Sequence, residues 1–280
     1  RFFLYLQLMN FKSKLPNVRT TIFTIMSSLA KEHNALNLSQ GFPDFESDPV
    51  LIELVSQAMK NGYNQYAPMM GVIELRTAIA QKFKELYQSS YSPEKEIVIT
   101  VGATQAIFTV ISAFIHTNDE VIIFTPAYDC YQPSVELQGG KVIPIQLQYP
   151  KNTIDWSLVE NSITSKTKMI IINSPQNPSG SIFSLSDMKR LEKITNNTDI
   201  IILSDEVYEH MIYDGEKHQS ACLFPDLKSR SFVVASFGKT FHNTGWRIGY
   251  CCAPKALMKL FRQVHQFNMF CVHHPTQKGI

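Results

Sequence analysis

Lys239 lies in Ser236-Phe237-Gly238-Lys239-Thr240-Phe241, directly after the aliphatic run Phe232-Val233-Val234-Ala235, and Arg247 follows in Gly245-Trp246-Arg247-Ile248-Gly249. A lysine amine in a protected cleft can bond a carbonyl or carry a proton, although a lone lysine is usually solvated surface. Asp205 and Tyr208 occur together in Ser204-Asp205-Glu206-Val207-Tyr208. Carboxylate and phenol share one side if a helical turn begins there, and Asp205 would otherwise be only a helix N-cap. Asn177 belongs to Asn173-Ser174-Pro175-Gln176-Asn177-Pro178-Ser179-Gly180, where prolines and a glycine fix a polar loop that displays its amide or is simply a turn. Gly102-Ala103-Thr104-Gln105-Ala106 is a small-residue turn whose backbone N–H groups can approach an anion, or an ordinary strand-to-helix connection. Tyr128, in Thr125-Pro126-Ala127-Tyr128, can stack on a flat ring or join the core.

These groups can act together only if the chain brings them to one edge. From about residue 97 short β-branched runs alternate with stretches of helical period: 97–101, 121–124, 169–172, 200–203 and 232–235, with 248–252 as a further strand. Runs that are apolar throughout suit strands covered on both faces, so the pattern predicts a largely parallel buried sheet with crossover helices. In such a sheet ligands bind beyond the carboxyl ends of the strands, where the residues above fall. Two apolar stripes are assigned to the core, Val72, Leu75, Ile79, Phe83 and Leu86 with Lys82 as an exception, and Leu257, Leu260, Phe261 and Val264. Cys251 and Cys252 read as small core residues. Residues 1–45 have a different texture, with a helical stretch from Thr21 to Glu32 and then Gly41-Phe42-Pro43-Asp44-Phe45, and are read as an arm leading into the main domain, 46–280.

Composition excludes several classes. With 280 residues, 44% hydrophobic and 18% charged, the chain can bury a core and is not disordered. A net charge of +2 gives no field to collect nucleic acid or anionic lipid, so the expected partner is a small molecule. No apolar run reaches the ~20 residues of a membrane span. The opening Arg1-to-Leu6 run lacks the length and the cleavage site of a signal peptide. Five cysteines without a C-x-x-C pair suggest neither a disulfide scaffold nor zinc, and adjacent His273 and His274 do not face one way, so no metal is expected. A reducing, cytoplasmic compartment fits.

Together the strand-end residues supply an amine, a carboxylate, a phenol, an amide, an aromatic face and anion-binding elements. Pyridoxal 5'-phosphate requires such a set: a lysine to form the Schiff base, a carboxylate to keep the pyridine nitrogen protonated, and a pocket for the phosphate. The ordered motifs GATQA, TPAYDCY, SPQNPSG, SDEVY and SFGKTFHNTGWRIG, with Gly41-to-Phe45 and Tyr66-x-Pro68-x-x-Gly71 ahead of them, resemble the class I aminotransferases of the fold-type-I pyridoxal-phosphate enzymes, in the methionine and kynurenine aminotransferase branch.

The resemblance implies an α/β, three-layer aminotransferase-like large domain with a mostly parallel central sheet, the small domain mostly absent. It makes Lys239 the Schiff-base lysine and general base, pairs Asp205 with the pyridine nitrogen, and puts Asn177 and Tyr208 on the ring hydroxyl. It stacks Tyr128 on the ring and sets the phosphate among Gly102, Ala103, Thr104, Ser236 and Arg247. Tyr66 is similar to the tyrosine that reaches a neighbouring subunit's phosphate, which implies a homodimer. Gly41 would meet the substrate carboxylate, Ile22 and Phe23 would wall its side chain, and Asn177 would also touch it. The expected reaction moves an amino group from methionine or aromatic amino acids to a 2-oxo acid. A cysteine-conjugate β-lyase on the same residues, or a cofactor-binding protein without turnover for lack of the small-domain arginine, are the alternatives.

Overall fold

Successive side chains of a strand point to opposite faces, so a run that is apolar throughout must be covered twice. The computed structural model, which describes residues 11–39, 41 and 45–280, shows how the cover is arranged. The Arg1-to-Leu6 run and Phe42-Pro43-Asp44 lie outside the described residues. The chain forms two units, Arg1–Glu46 and Ser47–Ile280. In the first, α1 (Ile22–Glu32) begins at Thr21, whose hydroxyl accepts the N–H of Thr24 at 3.3 Å. Its stripe of Ile22, Ile25, Met26 and Leu29 is exposed.

The second unit runs α2 (Pro49–Lys60), α3 (Ile73–Tyr87), β1 (Ile97–Thr100), α4 (Gly102–Phe114), β2 (Glu120–Thr125), α5 (Tyr131–Leu137), β3 (Lys141–Gln146), α6 (Trp156–Ser162), β4 (Thr167–Asn173), α7 (Leu185–Thr195) and β5 (Ile201–Asp205). It continues with α8 (Pro225–Lys228), β6 (Ser231–Ser236), α9 (Phe237–Thr240), β7 (Gly249–Cys252), α10 (Lys255–Asn268) and α11 (His274–Gly279). The seven strands lie in the order β1-β7-β6-β5-β4-β2-β3. β7 is antiparallel to both of its neighbours and the other pairs are parallel.

The period of two divides each strand between two cores. Ile170 and Ile172 of β4 pack with Leu75, Ile79 and Phe83 of α3 and with Met188 and Leu191 of α7. Met169 and Ile171 pack with Ile107, Val110 and Ile111 of α4 and with Met258 and Phe261 of α10. This is the expected three-layer α/β arrangement with its mostly parallel central sheet. Cys251 and Cys252 are fully buried, one in each core, and unbonded.

Three details differ from the pattern read in the sequence. β3 was not anticipated: it carries Pro144 and is mostly solvated, as only an edge strand allows, because proline lacks a ladder donor. In α3, Leu86 is exposed, and the odd Lys82 is satisfied by an ion pair with buried Glu209 and a 2.6 Å hydrogen bond to Tyr250 Oη. In α10 the buried face is Met258, Phe261 and His265, and Leu260 faces solvent. Polar His265 was invisible to a search for apolar period, yet its bonds described below let it replace an aliphatic residue there.

Register brings the strand ends together. Gly249 lies opposite both Thr100 and Ser236, and Asn173 lies opposite Asp205. The segments after β1, β4, β5 and β6 therefore open at one edge of the sheet.

Candidate active site

Asp205 ends β5 and is buried. Its Oδ2 accepts the Tyr131 hydroxyl at 2.6 Å and its Oδ1 the Val207 N–H at 3.3 Å. Burial raises its pKa from 3.8 to about 6, against the lowering effect of the Tyr131 bond. Lys239 sits in the short helix α9 after β6, half-buried, with Nζ 5.5 Å from the centre of the Tyr208 ring. Burial lowers the Lys239 pKa, the charge of Arg247 lowers it further, and Asp205 opposes both. Amine and carboxylate are thus close enough to bias one another, and both are shifted toward their neutral forms. Tyr208 is held in a turn rather than a helix, and burial, then the Asp205 charge, raises its pKa.

The turn after β1 has the geometry of an anion cup. Gly102 has φ +67°, and a Cβ there would lie 2.7 Å from Arg247 Nη2. Only glycine lets backbone and guanidinium approach so closely at that dihedral. A Cβ on Gly249 would meet Ala235 O at 2.6 Å and Gly102 C at 3.0 Å, so this second glycine seats the turn on the sheet. No side chain caps the N-terminus of α4, where the helix dipole favours an anion. Ala103 and Ser236 are buried beside this turn, and Thr104 Oγ1 lies 3.2 Å from Tyr128 Oη.

A second set of bonds fixes the surroundings. Asn173 Nδ2 donates to the Asp205 carbonyl at 2.9 Å, and its Oδ1 accepts the Asn177 N–H at 2.7 Å, which positions the loop that carries Asn177. Gln105 Oε1 accepts the Val101 N–H at 3.1 Å, and its amide faces His265 Nδ1 at 3.2 Å. Burial lowers the His265 pKa to about 4, so the ring is neutral near pH 7. With Nδ1 accepting from Gln105, the proton is on Nε2, which faces the Met69 carbonyl at 3.3 Å.

The structure therefore gathers Gly102, Ala103, Thr104, Tyr128, Asn177, Asp205, Tyr208, Ser236, Lys239 and Arg247 at one end of the sheet. Tyr66 does not join them: it is 80% exposed and stands edge-on to Phe270, ring centres 5.4 Å apart. Gly41, Ile22 and Phe23 belong to the first unit, where Ile22 is exposed and Phe23 half-buried. Sequence reasoning passed over Tyr131, Asn173, Gln105 and His265. The repeated tyrosines of Tyr128-Asp129-Cys130-Tyr131 were the one signal, since a three-residue spacing lets both face the same side of a turn.

A lysine and an aspartate at strand ends, beside a glycine turn that an arginine guanidinium approaches, stand where a doubly covered, mostly parallel α/β sheet usually binds its ligand, as in an enzyme of the α/β class. The family model for aminotransferase class I and II matches residues 33–278, and the chain belongs to that family. It is 44% identical over 269 residues to methionine aminotransferase of Escherichia coli, covering 96% of this chain and 70% of that protein. It is 36% identical to human kynurenine–oxoglutarate transaminase 1, covering 89% of this chain and 62% of that one. A solved Escherichia coli structure with a methionine aminotransferase function superposes with a TM-score of 0.93 at 42% identity, over 97% of this chain and 71% of the other. Among the described residues no helix is long and apolar enough to cross a membrane, and no three His, Cys, Asp or Glu side chains gather to hold a metal ion.

Proposed function

We propose that this chain uses pyridoxal 5'-phosphate to move an amino group from methionine or an aromatic amino acid to a 2-oxo acid. The observation that carries the reading is the meeting of Lys239 and buried Asp205 at one strand edge, each biasing the other's charge. The donor set fits the cofactor: a glycine cup that a Cβ would fill, a guanidinium beside it, and a buried carboxylate for a ring cation. Gly102, Ala103, Thr104, Ser236 and Arg247 would hold the phosphate, Tyr128 the ring face, Asn177 and Tyr208 the ring hydroxyl, and Asp205 the ring nitrogen. When bound, the cofactor supplies a ring that withdraws electrons from the carbon bearing the amino group.

The chain's own residues do the rest. A lysine with a lowered pKa is neutral for a larger share of the time, so Lys239 Nζ accepts the substrate Cα proton and hands it on to a different carbon, because return to Cα would only restore the substrate. Asp205, nearly dehydrated, offers a cation a much stronger partner than a solvated carboxylate would. Arg247 presents fixed N–H donors to phosphate oxygens.

The reading includes a homodimer in which Tyr66 serves the neighbouring subunit's phosphate, supported by the exposure of Tyr66 beside Phe270. Sedimentation velocity checks that part. Five unbonded cysteines fit a cytoplasmic setting. The test of the whole is to add pyridoxal phosphate to the purified chain, follow its protein-linked visible absorbance, and assay methionine with a 2-oxo acid. Absorbance and a new amino acid are expected, and Lys239→Ala removes both. Absence of the absorbance in the parent protein refutes the reading, and pyruvate with ammonia from a cysteine conjugate, without amine transfer, replaces it by the lyase.

A further inference from the structure

Asp205 divides its two oxygens between different sources. Oδ1 is taken locally, by the Val207 N–H, whereas Oδ2 is taken by the phenol of Tyr131, 74 residues away in sequence and on another element, α5. Tyr131 is buried, with its hydroxyl 2.6 Å from the carboxylate. Burial, and next the Asp205 charge, raise the Tyr131 pKa well above 10, so the phenol keeps its proton and acts only as a donor. The same side chain touches a second member of the site: the Tyr128 and Tyr131 rings stand edge to face, 5.8 Å apart at 80°, and the Tyr131 N–H donates to the Tyr128 carbonyl at 3.3 Å.

On the reading given above, we propose that Tyr131 is a positioning residue for the aminotransferase reaction, fixing Asp205 as an oriented carboxylate for the ring nitrogen while setting the plane of Tyr128. A carboxylate this deeply buried tends to take up a proton, and a protonated Asp205 offers a pyridinium no opposite charge. The titratable groups close enough to interact electrostatically with Asp205 are Tyr131 and Cys130 at the start of α5, Tyr128 before it, Glu206 and Tyr208 after β5, and Lys239 beyond β6. Of their effects on Asp205, the Tyr131 hydrogen bond is the largest that favours the ionised form, ahead of the Val207 N–H and the Lys239 charge. Glu206 acts the other way. Asn173, on β4, binds the Asp205 carbonyl and so places the main chain without touching the carboxylate.

The experiment follows the Asp205 carboxyl itself. Protein labelled with 13C-carboxyl aspartate is titrated without cofactor, the Asp205 signal being assigned by its loss in Asp205→Asn. The parent midpoint is expected near 6. Tyr131→Phe, which keeps the ring and removes only the hydroxyl, should move it up by about one to two units, the value of one hydrogen bond to a charged group. Replacing Tyr131 by a fluorotyrosine, a stronger donor of the same shape, should move it down, and this variant decides the matter if Tyr131→Phe does not fold. In the loaded enzyme the acid limb of the kcat profile should rise with the carboxyl midpoint in Tyr131→Phe. An unmoved midpoint, or shifts of the opposite sign, overturns the proposal. Failure of the parent chain to take up pyridoxal phosphate overturns the function reading instead, because the carboxyl titration does not involve the cofactor.

Discussion

Asp205→Asn should stabilise the cofactor-free protein while destroying its chemistry. The carboxyl has a pKa of about 6 in the folded chain against 3.8 as a free side chain, its burial being the main cause. A group whose folded pKa is raised favours the folded state fully below its unfolded pKa, and that advantage is lost as pH climbs through the folded pKa. Above about pH 6 the native chain therefore carries an ionised Asp205 at a cost. The difference, 6 minus 3.8, is about two units, and at 1.36 kcal/mol per unit the cost is about 3 kcal/mol. Asparagine is isosteric and mimics the protonated carboxyl: its single oxygen can accept from Tyr131 while its amide, like a carboxyl O–H, is turned toward the Val207 N–H, so against the protonated parent it removes only the charge. Urea unfolding of the two cofactor-free proteins, measured from pH 3 to pH 8, should give curves that coincide at the acid end. They should separate by about 2–3 kcal/mol above pH 6, with the variant the more stable. A variant equal to or weaker than the parent at pH 8 would refute the view that this carboxylate is held at a cost.

Two further outcomes follow from the same geometry. Gly102→Ala puts a methyl 2.7 Å from Arg247 Nη2 at a left-handed dihedral, so the guanidinium must swing away. Losing one charge-assisted contact of about 1.5–3 kcal/mol should weaken pyridoxal phosphate at least ~10-fold by titration of its visible absorbance, and unchanged affinity would show that the cup is not where the phosphate sits. His218→Ala leaves buried Glu206 without its 2.8 Å ion-pair partner and should cost about 3–5 kcal/mol in urea unfolding near pH 5.5. His218 is raised by Glu206 in spite of burial, so its share is full below 6.5 and fades as pH rises through the raised value. Glu206 is lowered by His218 in spite of burial, so its share is full above 4.5 and fades as pH falls through the lowered value. The penalty is therefore greatest between those two limits.

What could be read from the residues was set by how local its signal is. The strands at 121–124 and 169–172 announce themselves by unbroken apolar runs rich in β-branched residues, because burial on both faces leaves no place for a polar residue. Lys239, Asp205 and Asn177 were legible for a related reason: each follows such a run, and the sheet converts that position into a shared edge. Tyr131 was not legible as a partner of Asp205, because its role depends on a contact across 74 residues that no period encodes. His265 was hidden by the opposite mechanism, a polar side chain occupying a core position through two hydrogen bonds. Lys82 was visible only as an anomaly in an apolar stripe, and the structure supplies Glu209 as its reason.

Asp205 and Glu206 form a built-in comparison. They are consecutive, both buried, and both lose hydration, yet the first has its pKa raised and the second lowered. Glu206 meets His218 directly, together with the Ser204 hydroxyl at 2.7 Å and the Ala221 N–H at 3.0 Å, a donor set that offsets its desolvation. Asp205 meets a neutral phenol and one backbone N–H, and the cation nearest its edge, Lys239, acts on it more weakly than either bond. Equal burial with unequal compensation separates the two roles. Glu206 is tied into the scaffold by partners that complete it, whereas Asp205 keeps attraction in reserve for a positive charge in the crevice. A protonated ring nitrogen would draw on that reserve, and the stabilisation it gains equals in kind the stability that Asp205→Asn would restore to the cofactor-free chain.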